Sequence, residues 1–279
     1  MSYKTILVHV DESRRAGERI RVAARLAITE DAHLIGTAMT GISRFLFQSG
    51  ALQQNDPNLE AHLGLLRQYA NKSIAQFEPI VQKLGVNSYE KRVVDDEADG
   101  GISLAARYSD LVIISQNDPD EPSPSVMSDF PEYVVMNAGR PVLLIPFAGN
   151  FESVGEQILV AWDASMEATR AVTAAIPLLK KAKLVTVVVL NSGSKPGVHG
   201  EQPGADIALY LARHGVKVEV MQHRTDVDLG NALLSLTSDI DADLLVMGGY
   251  GHSRFREVLL GGVTRTILNA MTVPVLMAH

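Results

Sequence analysis

The densest concentration of potential chemistry lies in GGYGHSRFREVLLGGVTRTIL, which starts at Gly248. Gly248, Gly249 and Gly251 follow the apolar run Leu244–Met247, and Gly261 and Gly262 precede a helix-like stretch that opens near Val263 or Thr264. Glycines there let bare backbone approach a ligand, and the free N–H groups of a helix's first turn face any anion bound at that end. Thr264 adds a hydroxyl donor, while His252, Arg254 and Arg256 bring positive charge to the loop, although loop arginines are more often solvated. The arrangement suits a polyphosphate. Two common nucleotide signatures are missing: no G-x-x-x-x-G-K-[ST] occurs, and GGYGHSR lacks the third glycine of G-x-G-x-x-G. Glycine clusters also build plain turns about as often, so both readings stand on these residues alone.

The elements that would position this loop emerge from an internal repeat. ILVHVDES from Ile6 matches ILVAWDAS from Ile158, which pairs Asp11 with Asp163 at an offset of 152 residues. SDLVIIS (109–115) matches ADLLVMG (242–248), and RPVLLIP (140–146) matches VPVLMAH (273–279), both at an offset of 133. The first copy therefore carries 19 extra residues, which fall between Thr40 and Leu84. The copies read as domains over residues 1–148 and 155–279.

In the second copy, apolar runs at Ile158–Trp162, Leu184–Leu190, Val216–Met221, Leu244–Gly248 and Val273–Met277 predict strands. Between them, Ser165–Lys181, Ala205–His214, Asp228–Ser238 and Gly262–Met271 predict helices. Runs apolar at every position suit strands covered on both faces, the condition of a parallel sheet. Each copy is thus expected to be a Rossmann-like α/β domain, a five-stranded parallel sheet flanked by helices. Ligands of such sheets sit beyond the carboxyl ends of the strands, which points to Asp11 or Asp163 and to the residues after Ser115 or Gly248.

The spacing Gly248-x2-Gly251-x9-Gly261, after a buried strand and before a helix, resembles the G-x2-G-x9-G-(S/T) nucleotide motif of the universal stress protein family. The opening strand with its Asp and the closing VPVLM strand extend the resemblance over the second copy and, more loosely, over the first. It implies a tandem member with the adenine nucleotide alpha hydrolase-like fold, a cytoplasmic stress-response protein that binds ATP at the carboxyl edge of its sheet. The same resemblance would place Asp163 by the adenosine and the backbone of Val189 by the adenine. Gly248 would lie near the ribose, with Gly251, Gly261, Gly262, Val263 and Thr264 around the phosphates. One position departs: Gly262 stands where the family has Ser or Thr. A lost neutral hydrogen bond is worth ~1 kcal/mol, so affinity should fall without vanishing, and Thr264 could compensate.

In the first copy Ser115, Asp118, Ser128 and Asp129 take the places of Gly248, Gly251, Gly261 and Gly262. The segment between them, NDPDEPSPSVMSDFPE (117–132), holds four prolines without N–H donors and several acids that repel phosphate. This copy is expected to lack ATP binding, leaving Asp11 as a strand-end acceptor for the following turn. Ser13 and Ser165 read as helix caps, Trp162 as core or pocket wall, and Phe45, Leu46 and Phe47 as core cover or as an exposed patch for a partner.

Composition bounds the rest. The 279 residues, 46% hydrophobic and 20% charged, are those of a globular chain. Lack of cysteine removes thiolate chemistry and disulfides, and a net charge of -7 opposes a broad nucleic-acid surface. No apolar stretch is long enough to cross a membrane or form a signal peptide, so a soluble cytoplasmic protein is expected. No metal site is expected beyond Mg²⁺ accompanying the nucleotide. No catalytic residue is assigned. Asp163 is the only obvious carboxylate near the site and would lie at the wrong end for the γ-phosphate, so regulation is favoured over more than slow ATP hydrolysis. The alternative is a scaffold that binds no nucleotide and uses the extra segment of the first copy. The fifth strands, Val142–Ile145 and Val275–Ala278, are expected to meet as in an intramolecular pseudo-dimer, with a homodimer as a further assembly.

Overall fold

Short runs rich in Val, Ile and Leu, buried on both faces except at Tyr89–Val94 and Val218–His223, form ten strands in a computed structural model that describes residues 2–43, 57–121, 126–191, 202–250 and 262–279. Contacts divide the chain into two units, Tyr3–Arg140 and Pro141–His279 with Met1–Ser2.

In the first unit, β1 (Thr5–His9), β2 (His33–Met39), β3 (Tyr89–Val94) and β4 (Leu111–Ser115) are parallel in the order β3-β2-β1-β4. Helix α1 (Ala16–Glu30) buries an Ala-, Ile- and Val-rich face. The stretch between β2 and β3, which holds the surplus, supplies α2 (Pro57–Ile74) and α3 (Phe77–Leu84), and α4 (Ala98–Ala106) and α5 (Phe130–Asn137) complete the unit. Phe77 is fully buried over Gly36, where a Cβ would come within 2.6 Å of its ring. Only glycine lets the β2 backbone lie so close beneath that ring.

The second unit contains β5 (Val142–Ile145), β6 (Gln157–Ala161), β7 (Leu184–Leu190), β8 (Val218–His223), β9 (Leu244–Gly248) and β10 (Val275–Ala278). Their order is β5-β10-β9-β6-β7-β8, parallel except that β5 runs antiparallel to β10, with Leu144 opposite Val275 and Val142 opposite Met277. The two fifth strands thus meet as expected. Helices α6 (Met166–Leu179), α7 (Ala205–Arg213), α8 (Leu229–Asp239) and α9 (Gly262–Ala270) alternate with the strands.

Where strand bounds differ from the sequence reading, local chemistry explains it. Pro274 has no N–H for a ladder, so β10 starts at Val275, while the Pro274 carbonyl still accepts from Leu245. Val216 closes the end of α7 by donating to Leu211, so β8 starts later, at Val218. Among the described residues no helix is long and apolar enough to cross a membrane.

Candidate functional site

At the carboxyl edge of the second unit, β6, β7 and β9 end side by side. Asp163, just past β6, is exposed, and its Oδ1 accepts the Ser165 N–H at 3.0 Å. Ser165 caps α6 as expected, its hydroxyl accepting the Ala168 N–H at 3.1 Å. Trp162, half-buried, donates its N–H to Val188 at 2.9 Å. Val189 is buried near the end of β7. Asn191 donates its N–H to the His223 carbonyl, so strand alternation turns the peptide groups of Val189 toward β8 and those of Leu190 toward the side where β6 stops.

Past β9, Gly249 donates to the Ala278 carbonyl at 2.9 Å and Tyr250 donates to the Thr264 hydroxyl at 3.3 Å. That bond ties the strand end to the first turn of α9, where Gly262, Val263 and Thr264 stand with N–H groups that a helix leaves without internal partners. The Thr264 hydroxyl, expected as a donor, accepts within the fold and still has its proton to donate. Gly248 is required sterically, since a Cβ there would lie 2.6 Å from the Ala168 nitrogen at the start of α6. Asp163, Val189, Gly248, Gly262, Val263 and Thr264 therefore share one edge. Gly251 and Gly261, with His252, Arg254 and Arg256, lie outside the described residues, as do Phe45, Leu46 and Phe47.

Backbone strain marks the same rim. Ala164, Asn191 and Tyr250 have φ of 60°, 47° and 55°, each just past the end of β6, β7 or β9. Non-glycine residues hold left-handed backbone only where their surroundings enforce it, and such positions gather at ligand sites. Asn191 is held by both ends of its amide: Oδ1 accepts the Thr225 N–H at 2.9 Å and Nδ2 donates to the Thr225 carbonyl at 3.0 Å. Neither Asn191 nor Asp228, the cap of α8, is marked by the glycine spacing. The signal for Asp228 is its place immediately before an apolar helical run.

The corresponding edge of the first unit is filled by its own side chains. Arg19, 1% exposed, reaches from α1 and donates to the His9 carbonyl (2.6 Å), the Ser115 hydroxyl (2.5 Å) and Asp11 Oδ1 (2.9 Å). Asp11 also accepts the Ser13 N–H and hydroxyl, at 3.1 and 2.6 Å, so it is the strand-end acceptor anticipated. Ser13 does not cap α1; its hydroxyl is spent on Asp11. Burial would raise the Asp11 pKa, but the Arg19 guanidinium, helped by His9 and Ser13, holds it well below the usual carboxylate range. His9 is fully enclosed, its ring 5.0 Å from that of Phe130, and burial pushes its pKa down to about 4.

The acidic loop closes the same edge. Glu121 accepts the Arg14 N–H through both oxygens, at 3.1 and 3.2 Å. An anion of the protein's own thus already takes the donor at the turn into α1. At the 152-residue offset, Arg19 corresponds to Ala171 and His9 to Ala161, and Asp163 is exposed where Asp11 is buried. Ala171 leaves that position of the second copy without a guanidinium.

Comparison with known proteins follows this division. Residues 156–279 match the model of the Universal stress protein family. A universal stress protein of Synechocystis is 26% identical over 147 residues, 52% of this chain and 49% of that protein, so the chain spans about half the length of this relative. Among solved structures, a universal stress protein from Archaeoglobus fulgidus is 17% identical with a TM-score of 0.74, covering 98% of this chain and 97% of its own. A protein of unknown function from Pseudomonas aeruginosa is 17% identical with a TM-score of 0.57, over 98% of this chain and 92% of its own. At such identities the likeness establishes fold, and it runs through both copies.

Proposed function

We infer that the second copy, which belongs to the universal stress protein family, binds an adenine nucleotide, ATP, at the carboxyl edge of its sheet. The first copy serves as a companion that binds none, and the nucleotide controls conformation or assembly. The observation that carries this reading is the contrast between the copies. Arg19 satisfies Asp11 and Ser115 in the first and Glu121 takes the Arg14 N–H, whereas among the described residues Ala171, Gly248 and an exposed Asp163 leave the second edge open. In this reading Asp163 and the end of β7, where Leu190 rather than Val189 turns its peptide groups away from β8, flank the nucleoside, and Gly248, Gly251, Gly261, Gly262, Val263 and Thr264 surround ribose and phosphates. The first turn of α9 contributes backbone N–H donors and the positive end of its dipole. Among the described residues no group of three or more acidic or histidine side chains could hold a metal, so Mg²⁺ would arrive with the nucleotide and be held mainly by its phosphates.

Equilibrium binding of ATP with Mg²⁺ tests the reading. The wild type is expected to bind one nucleotide per chain, and a Gly251→Asp, Gly261→Asp double variant none. Absence of wild-type binding at millimolar ATP would leave the scaffold reading.

A further inference from the structure

We propose that Ser88, His33 and Glu90, at the amino ends of β2 and β3, form a nucleophile–base–carboxylate group that hydrolyses small carboxylic esters. The inference is independent of the nucleotide reading, because this group lies wholly within the first unit, at the amino edge of its sheet.

Local structure brings the three residues together. Helix α3 ends at Gly85, whose φ of 81° turns the chain back, and the Val86 N–H closes the turn on the Val81 carbonyl. Asn87 and Ser88 then lead into β3, where Tyr89 stands opposite Leu34 of β2. One step before that pair, His33 and Ser88 lie side by side. Tyr89 packs edge-on against the Phe77 ring of α3 and Lys91 pairs with Glu78 of the same helix, so strand alternation turns Ser88 and Glu90 to the other face. His33 joins them there, since Gly36 lies under Phe77 and His33 has the opposite parity along β2.

The contacts are those of an activated hydroxyl. Ser88 Oγ lies 2.7 Å from His33 Nδ1, and the other ring nitrogen, Nε2, is 3.8 Å from Glu90 Oε1. A negative charge on that side favours the tautomer with its proton on Nε2, which leaves the Nδ1 lone pair to the serine hydroxyl. Glu90 is itself held by Arg92. Among the described residues nothing accepts the N–H groups of Asn87 and Ser88, so two adjacent backbone donors stand next to the hydroxyl, as stabilisation of an oxyanion requires. Ser88 is exposed, and an ester reaches Oγ directly from solvent. Oγ bonds to the ester carbonyl carbon as its proton passes to Nδ1. His33 returns that proton to the leaving oxygen as the bond between carbonyl carbon and alcohol oxygen breaks. Water, giving a proton to the same nitrogen, then displaces the serine and frees the acid.

Turnover of p-nitrophenyl acetate by the full chain, measured for wild type, Ser88→Ala, His33→Gln and Glu90→Gln, tests the proposal together with a fluorophosphonate probe located by peptide mapping. The three side chains are at least partly exposed, so the variants should fold, which their urea midpoints verify. The wild type is expected to turn over the ester and to carry the probe on Ser88, whose oxygen displaces fluoride from phosphorus. Ser88→Ala should lose the label and His33→Gln most of it, each with roughly a hundredfold less turnover, the scale of a positioned general base. Glu90→Gln should lower kcat severalfold with KM unchanged. Wild-type turnover no faster than that of Ser88→Ala, or a probe found only on other residues, overturns the proposal. An unchanged kcat in Glu90→Gln overturns the part given to Glu90.

Discussion

Two aspartates at the same place in two copies have opposite surroundings, and the difference lies in residues that look unremarkable in sequence. Asp11 ends a strand-turn segment that visibly repeats at Asp163, so its acceptor role is legible. Arg19 is not, because an arginine in a helix ordinarily reads as solvated, and only the fold carries it under the ends of β1 and β4. His9 belongs to the same buried group and gives it a pH dependence. Burial lowers its folded pKa from 6.5 to about 4, which Asp11 opposes and Arg19 reinforces. The unfolded chain therefore binds the extra proton between those values, and stability must fall as pH drops from 6.5 toward 4. Asp11 stays ionised throughout this window, since its own pKa is held below the ordinary range. The loss attributable to His9 is on the order of 3 kcal/mol by linkage. Urea denaturation at pH 7, 5.5 and 4.5 should show it in the wild type, with a shallower decline for His9→Leu. Parallel declines would mean that His9 is protonated in the folded state at no cost.

At the scale of elements, the repeat extends to a device that no glycine motif marks. Asp110 Oδ2 accepts the N–H groups of Lys4 and Thr5, at 2.7 and 3.0 Å, and so fixes the entry to β1. Asp243, its counterpart at the 133-residue offset, accepts those of Gly155, Glu156 and Gln157 at 3.1, 3.0 and 2.9 Å before β6. Each aspartate precedes β4 or β9 and holds the start of the adjacent central strand at the edge opposite the candidate site. Charge-assisted bonds to several partly buried donors are worth more than one neutral bond, so Asp243→Ala should destabilise the second unit by ~2 kcal/mol. Chemical denaturation measures this, and because the aspartate is remote from the edge proposed for the nucleotide, the folded variant should show the wild type's response to ATP. A loss below 0.5 kcal/mol, roughly the effect of an ordinary surface substitution, would reduce Asp243 to a surface acceptor. Strands and helices of the second copy are legible to within two residues because β6, β7, β9 and β10 are mostly apolar on both faces and the partly exposed β8 still carries Val218, Val220 and Met221. The extra segment is legible only as surplus. Its helix α2 is fastened through Arg67 to Asp95, whose pKa that hydrogen bond lowers, and no local pattern announces a partner 28 residues away.

At the scale of the molecule, the strand Val142–Ile145 decides where a domain can be cut. By repeat arithmetic it closes the first copy, since RPVLLIP matches VPVLMAH. By contact it belongs with the second unit, paired antiparallel along β10. Sequence matching finds homologous positions, whereas the pairing of β5 with β10 depends on the free edge that β10 presents once β9 has taken its other side. A fragment of residues 155–279, bounded by the repeat, would bare that edge: four wholly buried residues, Val275–Ala278, with unpaired N–H and C=O groups. Exposed apolar edges of this kind template pairing with another chain. A fragment of residues 141–279 keeps its own β5 as cover. Size-exclusion chromatography with light scattering should therefore find the 155–279 fragment dimeric or aggregated. The 141–279 fragment should be shifted toward monomer, and a charge at the centre of the bared edge, Leu276→Lys, should suppress self-association of the shorter fragment at the expense of its stability. Both fragments monomeric at the same concentration would show that β5 is dispensable to the second unit and that the repeat boundary is also the physical one.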